Sequence, residues 1–145
     1  MSANTLPGGR TALTPVDAPW KALRGFLALD AVVSGGNGLA YLAFPGQLGD
    51  LLGAGRATLL GLGAVLAVFG AAAGVLAARR RPPRLGVLAV IDINLAWVVL
   101  SLVAMAAWLE PTTTGLVWIP LQAAVVALFG ALQFTALRRT GALSR

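Results

Sequence analysis

At 145 residues, with 58% hydrophobic residues, 11% charged residues and a mean hydropathy of +0.84, the chain lies far from a soluble domain, where about a quarter of residues are charged. The absence of cysteine and histidine excludes disulfides, thiolate and imidazole metal sites, haem ligation by histidine and histidine-based acid–base catalysis. The 5 carboxylates, Asp17, Asp30, Asp50, Asp92 and Glu110, are too scattered for a two-metal centre, so no metal or cofactor is expected, and the net charge of +6 reads as a topology signal rather than a nucleic-acid footprint.

Residues 1–18, MSANTLPGGRTALTPVDA, hold prolines, a Gly pair and little apolar content, the composition of a mobile tail. No apolar stretch with a cleavage site lies there, so no removable signal peptide is expected. Asp17 before Ala18-Pro19-Trp20 is a candidate helix N-cap, and Trp20, Lys21 and Arg24 suit a headgroup layer.

The first span is expected over 23–44. About 20 apolar residues at 1.5 Å each cross the hydrocarbon core. It carries Asp30, Ser34, Asn37 and Tyr41 at i, i+4, i+7 and i+11, a polar stripe on one face. A carboxyl at mid-span costs roughly 2.5 to 3.5 kcal/mol in lipid, so the stripe is expected to face other helices. The glycines of Ser34-Gly35-Gly36-Asn37-Gly38 permit close approach or local unwinding. Pro45-Gly46 ends the span, and Leu48, Leu51 and Leu52 in the following connection have the spacing of a short interfacial helical turn, with an irregular loop as the alternative.

The second span, 57–78, is almost free of polar side chains. Gly63, Gly70 and Gly74 recur on it, with Gly70-Ala-Ala-Ala-Gly74 a small-residue seam for close helix packing, within the chain or between subunits. Arg79-Arg80-Arg81-Pro82-Pro83-Arg84 then stops transfer and breaks the helix. The third span, 85–108, contains Asp92 and a stripe of Asn94, Trp97, Ser101, Met105 and Trp108. Two residues apart, Asp92 and Asn94 point about 200° away from each other and cannot share a face. Either both sides of this helix are contacted, or it is irregular near Asp92, or one polar group faces an oligomer interface. The fourth span, 116–137, has an inward stripe of Trp118, Gln122, Val125, Phe129 and Gln133, with Pro120 in its first turns, and 140–145 form a C-terminal tail.

The expected fold is therefore all-α, a polytopic bundle of four transmembrane helices within 19–139. Arg10, Lys21, Arg24, Arg79, Arg80, Arg81, Arg84, Arg138, Arg139 and Arg145 fall on one side and Arg56 alone on the other, which makes both termini cytoplasmic in the cell (inner) membrane. Measured from Arg24 and Arg84, Asp30 and Asp92 lie roughly 9 and 12 Å deep, and Gln133 roughly 8 Å before Arg138. Asp30, Asp92 and Gln133 are thus expected to share the inner half of the bundle. Asn37, Tyr41 and Gln122 would occupy the outer half, with Asn94 and Trp97 between. With no interior cation, two neighbouring carboxyls do not both ionise cheaply, so at least one of Asp30 and Asp92 is expected to keep its proton.

Three functional classes fit these residues. The leading one is a proton- or cation-coupled transporter or channel subunit, with Asp30 as the protonation site and Asn37, Asn94 and Gln122 as polar lining. The second is a metal-free intramembrane enzyme, an isomerase or cyclase on an apolar substrate, with Asp30 or Asp92 as general acid and Trp97, Trp118 and Phe129 shaping the pocket. The third is an accessory or structural subunit. The partners expected are the lipid bilayer and a second copy or larger membrane complex, with no nucleic acid. The opening LRGFLALDAVVSGGNGLAYL and the four spans resemble the small four-helix integral membrane proteins of Ala/Gly/Arg-rich bacterial proteomes, which as a group imply no function. The likeness to small multidrug transporters or DoxX-like proteins is one of size and span count, and no site residue is carried over from either.

Overall fold

The computed structural model describes residues 17–144. Five helices follow in order: α1 (Ala18–Ala43), α2 (Pro45–Leu52), α3 (Arg56–Ala78), α4 (Arg84–Ala107) and α5 (Thr113–Arg139). All but α2 are long and apolar enough to cross a membrane. Their outer faces present Val32, Val68, Val75, Leu85, Val99 and Val117 uncovered, a surface suited to acyl chains rather than water. The chain is a multi-pass membrane protein, an all-helical bundle of four spans, and the even span number places both ends of the described chain on one side.

Of the expected tail 1–18, residues 1–16 lie outside the described residues, whereas Ala18 already opens α1. Asp17 sits at the N-cap position, but its side chain makes no capping bond. Its carbonyl accepts from the Lys21 amide at 3.0 Å. Residues 140–143 do not trail away. They form a turn through Gly141, and Ala142 and Leu143 pack against the core.

Helix α1 packs along α3 on one side and α5 on the other, α5 packs along α4, and α3 and α4 touch only briefly. In lipid no hydrophobic effect drives helices together, so the α1–α3 contact depends on backbone proximity. A Cβ on Gly70 would lie 2.7 Å from the Gly35 Cα, and one on Gly38 would lie 2.7 Å from the Ala67 amide nitrogen. Only hydrogen fits between the two backbones there. The SGGNG segment thus serves close approach, and α1 runs through it without unwinding. Gly63 and Gly70 are buried against α1, so this seam lies within the chain, while a Cβ on Gly74 would meet the Ala31 side chain at an ordinary 3.8 Å.

At the end away from the termini, the 45–52 connection is a helix rather than an irregular loop. Gly53 closes it with φ +75°, a conformation that favours glycine. Thr112 holds this end together. Its hydroxyl donates to the Leu51 carbonyl and accepts from the Gly115 amide at 3.2 Å, capping α5. The cap starts α5 at Thr113, before the expected 116, which puts Pro120 inside the helix and deprives the Leu116 carbonyl of its helical partner. Thr112→Ala removes both bonds and is expected to lower stability by about 1–2 kcal/mol, read as an earlier midpoint when folded protein is titrated with denaturing detergent.

Candidate functional site

Two apolar clusters fill the bundle. One, at the end carrying the termini, gathers Leu23, Leu27, Phe69, Ala73, Val87, Val90, Ile91 and Leu137; the other, at the opposite end, gathers Tyr41, Leu52, Leu59 and Leu66. Between them lies a knot of polar side chains. Asp30 and Ser34, one turn apart on α1, are 0% and 5% exposed, Asn94 of α4 is 2% exposed and Gln133 of α5 is 0% exposed. Ser34 Oγ donates to Asp30 Oδ1 at 2.9 Å. Asn94 Nδ2 and Gln133 Nε2 both donate to Asp30 Oδ2, each at 2.7 Å, and Asn94 Nδ2 also reaches Gln133 Oε1 at 3.4 Å. Every buried polar side-chain atom among the described residues has a partner.

The two carboxyl oxygens are not equivalent. Oδ2 faces amide N–H groups, which only donate. Oδ1 faces a hydroxyl, which donates to a carboxylate or accepts from a carboxylic acid O–H by rotating its hydrogen. The knot can therefore hold Asp30 with or without a proton at Oδ1 while every heavy atom stays in place. Ser34 is also the link to open space, since it lines a cavity of about 400 Å³. Asn37, Trp97, Trp118 and Gln122 share this wall, and Val33, Gly36 and Leu121 form a rim exposed on the bundle surface. Asp30 itself does not line the cavity, but Ser34, whose hydroxyl donates to its Oδ1, does.

A second cavity of about 250 Å³ opens where α3 and α4 diverge, with Tyr41, Thr58, Ser101 and Trp108 in its lining. Trp97 and Gln122 belong to both walls. Trp118 Nε1 donates to the Tyr41 hydroxyl at 3.2 Å, tying α5 to α1 beside this partition. The two cavities are thus adjacent chambers divided by Tyr41, Trp97, Trp118 and Gln122.

The sequence-based grouping is redrawn by these contacts. Asn94, expected between the two halves, lies in the same knot as Asp30 and Gln133. Arg24 and Arg84 are unequal depth markers: Arg24 Nε donates to the Ala77 carbonyl at 2.8 Å, inside the end of α3, whereas Arg84 only begins α4. Asp92 does not join the knot. Helix α4 is regular throughout, and the rotation that buries Asn94 turns Asp92 to the exposed side. Of the predicted lining, Asn37 and Gln122 are half-buried at the first cavity and Tyr41 is buried at the second. The inward stripe of α5 splits, with Trp118, Gln122 and Val125 on the cavity and Phe129 and Gln133 in the packed interior.

Sequence reasoning overlooked Thr112, Val33 and Val126. Thr112 carried a readable signal as the first residue of a Thr run after Pro111. The others are apolar positions with no signal apart from neighbours on other helices. Among the described residues no three acidic side chains gather where a metal ion could be held. In comparisons with protein-family models, curated proteins and solved structures nothing matches this chain, so its function has to be argued from the geometry of this site.

Proposed function

We propose that the protein is a proton-coupled transporter or channel subunit of the cell membrane, with both termini cytoplasmic and Asp30 as the protonation site. One observation carries this reading: a fully buried carboxyl whose Oδ1 accepts from the hydroxyl of Ser34, a residue of the cavity wall. Interhelical glue alone is a weaker account, because an amide at position 30 would cross-link the same helices without the penalty of a carboxyl in hydrocarbon. The proton reaches Asp30 by way of Ser34, and the cavity holds a small ligand with an apolar body and a hydrogen-bonding head, met by Asn37 and Gln122. Trp97 and Trp118 offer ring faces to a cationic group. The enzyme reading is less well supported, since it needs an acid at the cavity wall and neither Asp30 nor Asp92 lines it.

The test is Asp30→Asn. An asparagine in the same rotamer presents its carbonyl oxygen to Asn94 and Gln133 and its amide to the Ser34 hydroxyl, so the knot closes but can no longer exchange a proton. Proteoliposomes holding a trapped pH-sensitive dye are expected to take up protons under an imposed membrane potential. The variant is expected to fold normally and to lose this uptake by about tenfold or more, a barrier change of at least about 1.4 kcal/mol. Wild-type uptake rates in folded Asp30→Asn would refute the assignment.

A further inference from the structure

Asp92 has no hydrogen-bond partner among the described residues and is exposed on α4, eight residues past Arg84 and roughly 12 Å from that end of the helix. No other ionisable side chain among the described residues is exposed so far from a span's end. A carboxyl on one methylene cannot reach the headgroup layer from there, as a lysine stem would. Its own helix shows what covers it. Leu85, Ala89, Asp92, Ala96, Val99 and Val103 are all exposed and follow at spacings of four, three, four, three and four. At 100° per residue they fall within about 40° of one line, directly opposite the buried face of Val87, Val90, Ile91 and Asn94. Alternation of three and four is the repeat along which two helices stay in contact, and the alanines on either side of Asp92 let backbones approach.

We infer that this face of α4 is the contact between two copies of the chain, related by a twofold axis along the membrane normal, with the two Asp92 carboxyls hydrogen-bonded to each other. Such an axis brings each residue near the axis opposite its own copy at the same depth. A carboxyl that keeps its proton is donor and acceptor at once, so Asp92 is complementary to itself without any residue from another protein. A single polar group in an apolar seam also fixes register, because sliding by one turn would leave both carboxyls in hydrocarbon. The outer faces of α1, α3 and α5 offer no comparable ionisable group.

The chain has no cysteine, so single-cysteine variants report the contact cleanly. In liposomes at low protein density, Ala89→Cys and Ala96→Cys are expected to form disulfide-linked dimers on mild oxidation, whereas Val68→Cys, on the exposed face of α3, is expected not to. Asp92→Asn retains self-complementarity and the dimer, while Asp92→Lys is expected to lower the dimer fraction in native mass spectrometry by about tenfold or more. Should Asp92→Lys fail to fold, Ala96→Phe serves instead, since position 96 is open in the single chain and crowded only across the seam. A monomeric wild type, equal cross-linking from Val68→Cys, or a dimer that survives both Asp92→Lys and Ala96→Phe would each overturn the inference.

Discussion

Asp30→Leu is expected to destabilise the bundle by about 2–4 kcal/mol, whereas Asp30→Asn should stay within about 1 kcal/mol of the wild type. Leucine removes the acceptor shared by Asn94 Nδ2 and Gln133 Nε2 and leaves an N–H of each buried amide unpaired between apolar clusters, with only the longer Asn94–Gln133 contact of 3.4 Å remaining. Each stranded donor costs about 1–3 kcal/mol. The low half of that range applies, because separated helices in lipid also keep these amides away from water. Ser34 escapes the penalty, since its hydroxyl can turn to the carbonyl one turn back. Denaturing-detergent titration followed by far-ultraviolet circular dichroism reads the difference. Equal stability of the leucine and asparagine variants would mean that the knot does not hold α1, α4 and α5 together. Beside the flux experiment, the pair separates two roles of one residue: leucine tests the bonds Asp30 accepts, and asparagine the proton it exchanges.

Gly70→Val is expected to cost about 3 kcal/mol, the upper end of the penalty for overpacking. The new Cβ would stand 2.7 Å from the Gly35 Cα, 2.8 Å from its nitrogen and 3.0 Å from the Ala31 carbonyl oxygen. All three are backbone atoms, so no side chain can swing aside and α1 must move off α3. Ala31 and Gly35 are the immediate neighbours of Asp30 and Ser34, and that movement pulls the carboxyl away from Asn94 and Gln133. Stability and proton uptake should therefore fall together. Gly61→Val is the control on the same helix, because a Cβ there meets nothing within 4 Å. If Gly61→Val proved as harmful as Gly70→Val, β-branching in the helix rather than the α1–α3 contact would be the cause.

The Asp30 stripe was legible because helical period and the cost of a carboxyl in hydrocarbon both act within one segment. Asp30, Ser34, Asn37 and Tyr41 face inward as their spacing requires, and the 200° between Asp92 and Asn94 forbade a common face before any helix had a neighbour. The four spans followed from apolar length alone. Depth was less legible, since charged side chains mark the end of a span only to within a turn, and that margin separated Asn94 from the knot it belongs to. Which of two opposed polar groups turns inward is a property of neighbouring helices. Packing of α5 on one face of α4 selected Asn94 and left Asp92 outside.

By itself, then, the sequence determined the membrane class, the number of spans and the face of α1 that must avoid lipid, because these depend on local period and on transfer from water to hydrocarbon. The tertiary structure alone decided that Gly35 and Gly38 join α1 to α3, that α3 and α4 diverge, and that the Ser34 bonded to Asp30 lines a cavity. Those features depend on distances between segments far apart in the chain, set by where backbones can touch, and no periodicity within one helix encodes them.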